Sequence, residues 1–231
     1  MVTLVLLPGM DGTGQLFAPF LAALGCEVDV KVVRYPNGEP LGYAELEAVA
    51  RAELPEGPFV LLGESFSGPI AIALAASGSP HLKGVVLCCS FARNPRPLFS
   101  GLRSLVGVLP VAAVPFGVLS RLLLGRFETP ELRAALGNAL AQVSPATLRA
   151  RLRSVLTVDV SAQLRASTVP TLYLQATRDQ VVPAAASQLV SRLKPSTRMV
   201  QFHAPHFLLQ TAAAEAAGVV GEFMREVQRG I

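Results

Sequence analysis

The stretch that most restricts what this chain can become runs from Pro58 to Ala76. An unbroken apolar run, Phe59-Val60-Leu61-Leu62, enters Gly63-Glu64-Ser65-Phe66-Ser67-Gly68, and a second apolar run, Ile70 to Ala76, follows at once. The first run reads as a strand buried on both faces and the second as a helix. So abrupt a turn leaves room only for small side chains two positions either side of its tip. Gly63 and Ser67 hold those positions around Ser65. Centring the turn on Ser67 would put Ser65 and Pro69 there, and proline fits poorly. The motif therefore presents Ser65 as a nucleophile at the top of a strand. The plainer alternative is a serine that only caps the helix behind it.

The same rhythm repeats along the chain. Strand-like runs at Thr3–Leu7, Val28–Arg34, Phe59–Leu62, Leu82–Cys88, Thr171–Ala176 and Arg198–Phe202 alternate with helix-like ones at Gln15–Leu24, Tyr43–Glu53, Phe66–Ala76, Ala184–Leu193 and Ala212–Val227. Alternation of this kind predicts an α/β fold, a doubly wound and mostly parallel sheet with helices on both faces. Between Ser90 and Val169 it breaks. Prolines there punctuate arginine-rich amphipathic segments, with helices expected at Glu131–Val143 and Ala146–Leu156 behind caps Thr129 and Ser144. The expected division is a core of residues 1–92 and 165–231 with a helical cap or lid inserted at 93–164.

Composition removes several function classes. At 231 residues and 51% hydrophobic, the chain can bury one large core. Its formal charge of +4 comes without a dense basic block interleaved with aromatics, which argues against nucleic-acid partners. Cys26, Cys88 and Cys89 are odd in number and two are adjacent, which fits a reducing, cytoplasmic setting and no disulfide framework. Val2–Leu7 is too short and lacks the basic lead of a signal peptide. Leu105–Leu124 approaches membrane-span length, but Pro110, Pro115 and Arg121 interrupt it, so a broken apolar lid is expected and no stable span.

In an open parallel sheet, ligands bind beyond the carboxyl ends of the strands. The polar residues that follow strands are therefore the candidates. Pro8-Gly9-Met10-Asp11-Gly12 follows the first, Ser65 the third, Thr177-Arg178-Asp179-Gln180 the fifth, and His203-Ala204-Pro205-His206 the last. Of the three histidines, His81 precedes its strand and lies at the wrong edge, His203 sits at the end of its own strand, and His206 lies in the following loop. Among the acids, Asp159 suits a helix cap, Asp11 a turn with Gly12, and Asp179 the strand end, with a turn before Pro183 as its plainer alternative. Glu64 reads as a paired or solvated carboxylate.

With Leu7-Pro8-Gly9-Met10-Asp11-Gly12, Gly63–Gly68, Thr177–Pro183 and Pro205-His206-Phe207 in order, the chain resembles the α/β-hydrolases of the serine esterase, lipase and thioesterase group over essentially its whole length. It differs in having Pro8-Gly9 where His-Gly is usual and in starting with the strand that usually comes third, which implies a short version of about six strands. The resemblance implies a Ser65, Asp179 and His206 triad, with backbone N–H groups of Met10 and Phe66 as oxyanion hole and Gly9 close to the substrate. It implies no metal and no cofactor. The expected activity is cleavage of carboxylic esters with an apolar acyl part by a monomer or homodimer acting on a small-molecule ester or acyl substrate. Thioester cleavage or acyl transfer, and a non-catalytic hydrolase-like binding protein, are the competing readings. Leu102, Val106, Leu109 and Phe116 are expected to line the acyl pocket. Arg93, Arg96, Arg103 and Arg121 are either solvated or aimed at an anionic leaving group.

Overall fold

Every interior strand is apolar on both sides, and each finds helices on both. The computed structural model describes residues 2–26, 28–98, 101 and 115–230. Strands β1 (Thr3–Leu7), β2 (Val30–Val32), β3 (Phe59–Glu64), β4 (Leu82–Cys88), β5 (Thr171–Ala176) and β6 (Arg198–Phe202) form one sheet in the order β2-β1-β3-β4-β5-β6. All neighbouring pairs are parallel. The chain moves one way from β1 to β2, then returns to the other side of β1 with β3. The loops after β1 and β3 thus diverge from adjacent strands, which opens a crevice at their carboxyl ends.

The period of two along each strand sorts its side chains. Leu4, Leu6, Val60 and Leu62 pack with α1 (Ala18–Leu24) and α10 (Ala213–Arg229) on one face. Val5, Leu7 and Leu61 pack on the other with α2 (Tyr43–Ala52), α3 (Gly68–Ala76) and, further along the chain, α8 (Ala184–Leu193). The edge strands β2 and β6 are only half covered. Both carry polar side chains, Lys31 in β2 and Arg198 and Gln201 in β6, and stay partly exposed because no strand lies beyond them and the helices do not reach. The expected strand over Val28–Arg34 narrows to Val30–Val32 for the same reason.

Two expected helices open with a tight 3-10 turn, Gln15–Phe17 before α1 and Ser65–Ser67 before α3. The closing helix is preceded by a single turn, α9 (Leu208–Thr211). Between β4 and β5 the described chain forms α4 (Phe116–Leu124), a 3-10 turn at Gly125–Phe127, α5 (Pro130–Ala141), α6 (Pro145–Thr157) and α7 (Ser161–Ala166). Thr129 and Ser144 accept hydrogen bonds from Leu132 N (3.3 Å) and Thr147 N (3.1 Å), and proline occupies the first helical position in both cases. A small apolar cluster of Leu16, Leu124, Leu136, Ala139 and Phe207 ties α4 and α5 to the loops after β1 and β6. Leu102, Val106, Leu109 and residues 105–114 of the expected lid lie outside the described residues. Among those described, no helix is long and apolar enough to cross a membrane.

Candidate active site

The crevice is built by the ends of β1, β3, β5 and β6. Ser65 follows β3 directly, with φ of 47°. That left-handed backbone is rare for a side chain with a Cβ and marks a strained turn. The surroundings leave it no alternative. A Cβ at Gly63 would come within 2.8 Å of Ser67 O and 3.0 Å of Ala71 Cβ, and a Cβ at Gly68 would fall 1.7 Å from Ser90 Oγ. Ser90 in turn donates its hydroxyl to Ser65 O at 2.6 Å. The turn is thus pinned from beneath by a residue at the end of β4.

Ser65, His206 and Asp179 are brought into one hydrogen-bonded row. Ser65 Oγ lies 2.8 Å from His206 Nε2, and His206 Nδ1 lies 2.8 Å from Asp179 Oδ2. The imidazole and the carboxylate are almost fully buried, with side chains 5% exposed. An ionised carboxylate only accepts, so Nδ1 carries the proton, and Nε2 is left to accept from the serine hydroxyl. Asp179 is itself held by two backbone donors, Val181 N (2.8 Å) and Val182 N (2.9 Å), both to Oδ1. The loop that carries it extends the β5–β6 ladder through Thr177 N to Phe202 O (2.9 Å) and Arg178 N to Ala204 O (3.0 Å). Arg96 donates to the carbonyls of Gln180 and Val181, which ties down the far side of the same turn. Such a row can take a proton from a hydroxyl as it attacks a carbonyl.

The loop after β1 faces Ser65 from the neighbouring strand. Its Pro8 carbonyl accepts from Ser67 Oγ, and Tyr35 Oη then donates to Ser67 Oγ at 2.9 Å. Ser67 is fully buried in this role, so it is the internal tie and Ser65 the presented residue. Asp11 Oδ2 accepts from Thr13 N (2.9 Å) and Thr13 Oγ1 (2.6 Å), a local turn with Gly12 at φ of 71°. Arg151 of α6 is fully buried beneath the loop and donates to Met10 O (2.7 Å), Asp11 O (2.9 Å) and Pro36 O (3.0 Å). Phe66 stacks on Tyr43 at 4.7 Å, and its carbonyl accepts from the Tyr43 hydroxyl at 2.9 Å. Gly9 has Glu64 beside it, 3.7 Å from where its Cβ would stand.

Glu64 is neither solvated nor ion-paired. It is buried, and Gln210 Nε2 donates to its Oε1 at 2.9 Å. Burial pushes its carboxyl up to about 7, against the opposing pull of Gln210. Cys89 has φ of 47° and sits with Asp179 and His206 so that their ligand atoms lie within 4.8 Å of one another. A metal ion there would have to displace the proton that the imidazole and carboxylate share. Burial raises the Cys88 and Cys89 thiols, so neither is a ready thiolate.

The other candidates fall elsewhere. His203 is exposed and contacts Arg126, with Phe127 edge-on at 5.8 Å. His81 is exposed before β4. Asp159 accepts from Ser161 N at 2.9 Å at the start of α7. Phe116 is half-buried against α5 under the Arg133 guanidinium, 5.2 Å from its ring centre. Sequence reasoning missed Ser90, Tyr35, Gln210 and Arg151. Tyr35, Gln210 and Arg151, the last inside an otherwise ordinary amphipathic segment, left no local signal. Ser90 at the end of a strand was available as one.

The family model described as "Alpha/beta hydrolase family" matches residues 4–219. "Putative carbamate hydrolase RutD" of Yersinia enterocolitica is 28% identical over 250 residues, covering 96% of this chain and 87% of that protein. "Phytyl ester synthase 1, chloroplastic" of Arabidopsis thaliana is 40% identical over 103 residues, covering 40% of this chain and 15% of that one. The solved structure of a thermophilic esterase from Thermogutta terrifontis superposes with a TM-score of 0.83 at 20% identity, covering 98% of this chain and 90% of that one. At that identity the likeness is one of fold.

Proposed function

The chain belongs to the alpha/beta hydrolase family, and on that premise we propose that it cleaves carboxylic esters with an apolar acyl part through an acyl-enzyme on Ser65. The observation that carries this reading is the unbroken row from Ser65 Oγ through His206 to Asp179, with 2.8 Å at each step. Ser65 Oγ bonds to the substrate carbonyl carbon as its proton passes to His206 Nε2. Asp179 keeps the proton of Nδ1 in place and stabilises the imidazolium. The tetrahedral intermediate collapses, the bond to the leaving oxygen breaks, and that oxygen takes the proton from His206. Water then attacks the acyl-enzyme with the same histidine as base, releasing the acid and restoring Ser65.

The developing oxyanion needs donors that are already aimed. We assign these to the backbone N–H groups of Met10 and Phe66, on loops whose carbonyls Arg151 and Tyr43 hold. Gly9 leaves the backbone open to close approach. The acyl part is assigned to the apolar segment around Leu102, Val106, Leu109 and Phe116, on composition. No step calls for a metal or an organic cofactor.

Hydrolysis of p-nitrophenyl esters of increasing acyl length, in wild type and in Ser65→Ala, tests the reading. Wild-type turnover that falls by about three orders of magnitude or more in the variant is expected. Equal activity in both would remove Ser65 from the chemistry. Rates indifferent to acyl length would remove the apolar acyl site.

A second reading is acyl transfer, in which an alcohol replaces water at the acyl-enzyme. It is favoured by the 40% identity, over 103 residues, to a protein named for ester synthesis. Partition of the acyl group between acid and ester, measured with a long-chain alcohol present, separates the two.

A further inference from the structure

A cavity of about 830 Å³ opens between α4, the Gly125–Phe127 turn and the loop after β5, and four arginines line it. Its size suits a small-molecule ligand, for which pockets of roughly 300–1,000 Å³ are usual. Two carboxylates share the wall, and both are already engaged. Glu128 accepts from Arg133 at 2.6 Å, and Asp179 serves His206 and two backbone amides. Arg121, Arg126 and Arg178 remain, and none takes part in an ion pair among the described residues. Arg126 is steadied by Phe127, with its guanidinium 5.3 Å from the ring centre, and by contact with the His203 ring, neither of which supplies a negative charge.

A single exposed arginine is ordinary surface. Here Glu128 feels the charge of Arg121, but four arginines face two carboxylates on one concavity, and the wall keeps a positive excess. Guanidinium is a flat, permanently charged fork that pairs best with phosphate or carboxylate oxygens. A multiply charged phosphate answers three forks better than one carboxylate does.

The position of the cavity says which part of a substrate would enter it. His206 must hand its proton to the leaving group, so that group departs on the imidazole side of Ser65. The cavity wall includes Pro205, which precedes His206, and Asp179, which orients it. We propose that this cleft binds a phosphate group carried by the leaving group, so that the substrates are acyl esters or thioesters of a phosphorylated alcohol or thiol. The inference rests on the hydrolase reading above. The bond broken is the one between acyl carbon and leaving oxygen or sulfur, and the phosphate stays intact on the departing alcohol or thiol.

The test joins a binding measurement to a pair of matched substrates. Pyrophosphate is titrated calorimetrically into wild type and into the triple variant Arg121→Gln, Arg126→Gln, Arg178→Gln. Arg133 is left in place because it holds Glu128. In parallel, kcat/KM is measured for 1-butyrylglycerol 3-phosphate and for 1-butyrylglycerol in both proteins. The expected result is pyrophosphate binding that weakens at least about 10-fold in the variant, and a wild-type preference for the phosphorylated ester of about 10-fold or more that collapses towards one. S-butyryl phosphopantetheine against S-butyryl pantetheine, assayed likewise, tells a thiol from an alcohol. A wild-type preference near one, or pyrophosphate binding that ignores the arginines, overturns the proposal while leaving ester hydrolysis intact. Arginine-dependent pyrophosphate binding with none of these substrates cleaved overturns the hydrolase reading and leaves the anion site standing.

Discussion

Glu64, the residue before Ser65, has a carboxyl that its surroundings hold protonated up to about 7, largely because burial removes it from water. The consequence for stability has a definite sign. Below its ordinary value of 4.5 the carboxyl is neutral in both folded and unfolded chains and contributes nothing. As pH rises, the unfolded chain releases the proton first, so the folded state loses stability between about 4.5 and 7 and the loss then levels off. A rise of that size corresponds to about 3 kcal/mol. Glu64→Gln removes the titration. The new amide also has a partner waiting, since Gln210 Oε1 is buried with no hydrogen bond. Urea unfolding at pH 8 is therefore expected to show the variant more stable than wild type by up to about 3 kcal/mol, with the gap closing near pH 4. A gap that does not change with pH would mean that the Glu64 carboxyl is not its source.

At the scale of elements, the support of the site comes from segments distant in sequence. Helix α6 sends Arg151 beneath the loop after β1, and Gly12 is glycine partly because a Cβ there would meet the guanidinium at 2.6 Å. Helix α4 receives Phe207 N at Leu123 O, 3.2 Å, one residue beyond His206. The inserted helices are thus anchored to both the loop of Met10 and the loop of His206. Arg151→Met is expected to leave three carbonyls without their donor and to cost about 3 kcal/mol or more, since each buried group so stranded costs roughly 1–3 kcal/mol. Arg153→Met, on the exposed side of the same helix, is expected to change stability by no more than about 0.5 kcal/mol. Chemical unfolding of the two variants checks the contrast, and similar losses in both would mean that α6 as a whole, and not this guanidinium, is what matters. The sequence alone could not separate these residues. Arg149, Arg151 and Arg153 alternate along α6, and at 100° per residue nothing local says which one turns inward.

Across the whole molecule, what could be read in advance and what could not follow one division. The four interior strands were legible because burial on both faces forces continuous apolar runs with defined ends. β2 was overextended because an edge strand is limited by what covers it, which is a tertiary matter. Ser65, Asp179 and His206 were legible as residues just beyond strand ends, where a parallel sheet collects its chemistry. Tyr35 and Gln210 were not, since each acts through a partner 32 or more residues away. Cysteine usage is the whole-chain feature that reads most directly into a measurement. Cys88 and Cys89 are free and buried on β4 and just beyond it, and Cys26 is free and exposed. A buried thiol with a raised pKa reacts only when the fold opens. A thiol-reactive disulfide dye is therefore expected to modify one of the three cysteines promptly in the native protein and all three in denaturant. Because no disulfide restrains the unfolded chain, the thermal midpoint should be the same with and without reductant. Prompt reaction of two or three thiols in the native state would show that β4, and with it the Ser90 support under Ser65, opens far more readily than its burial implies.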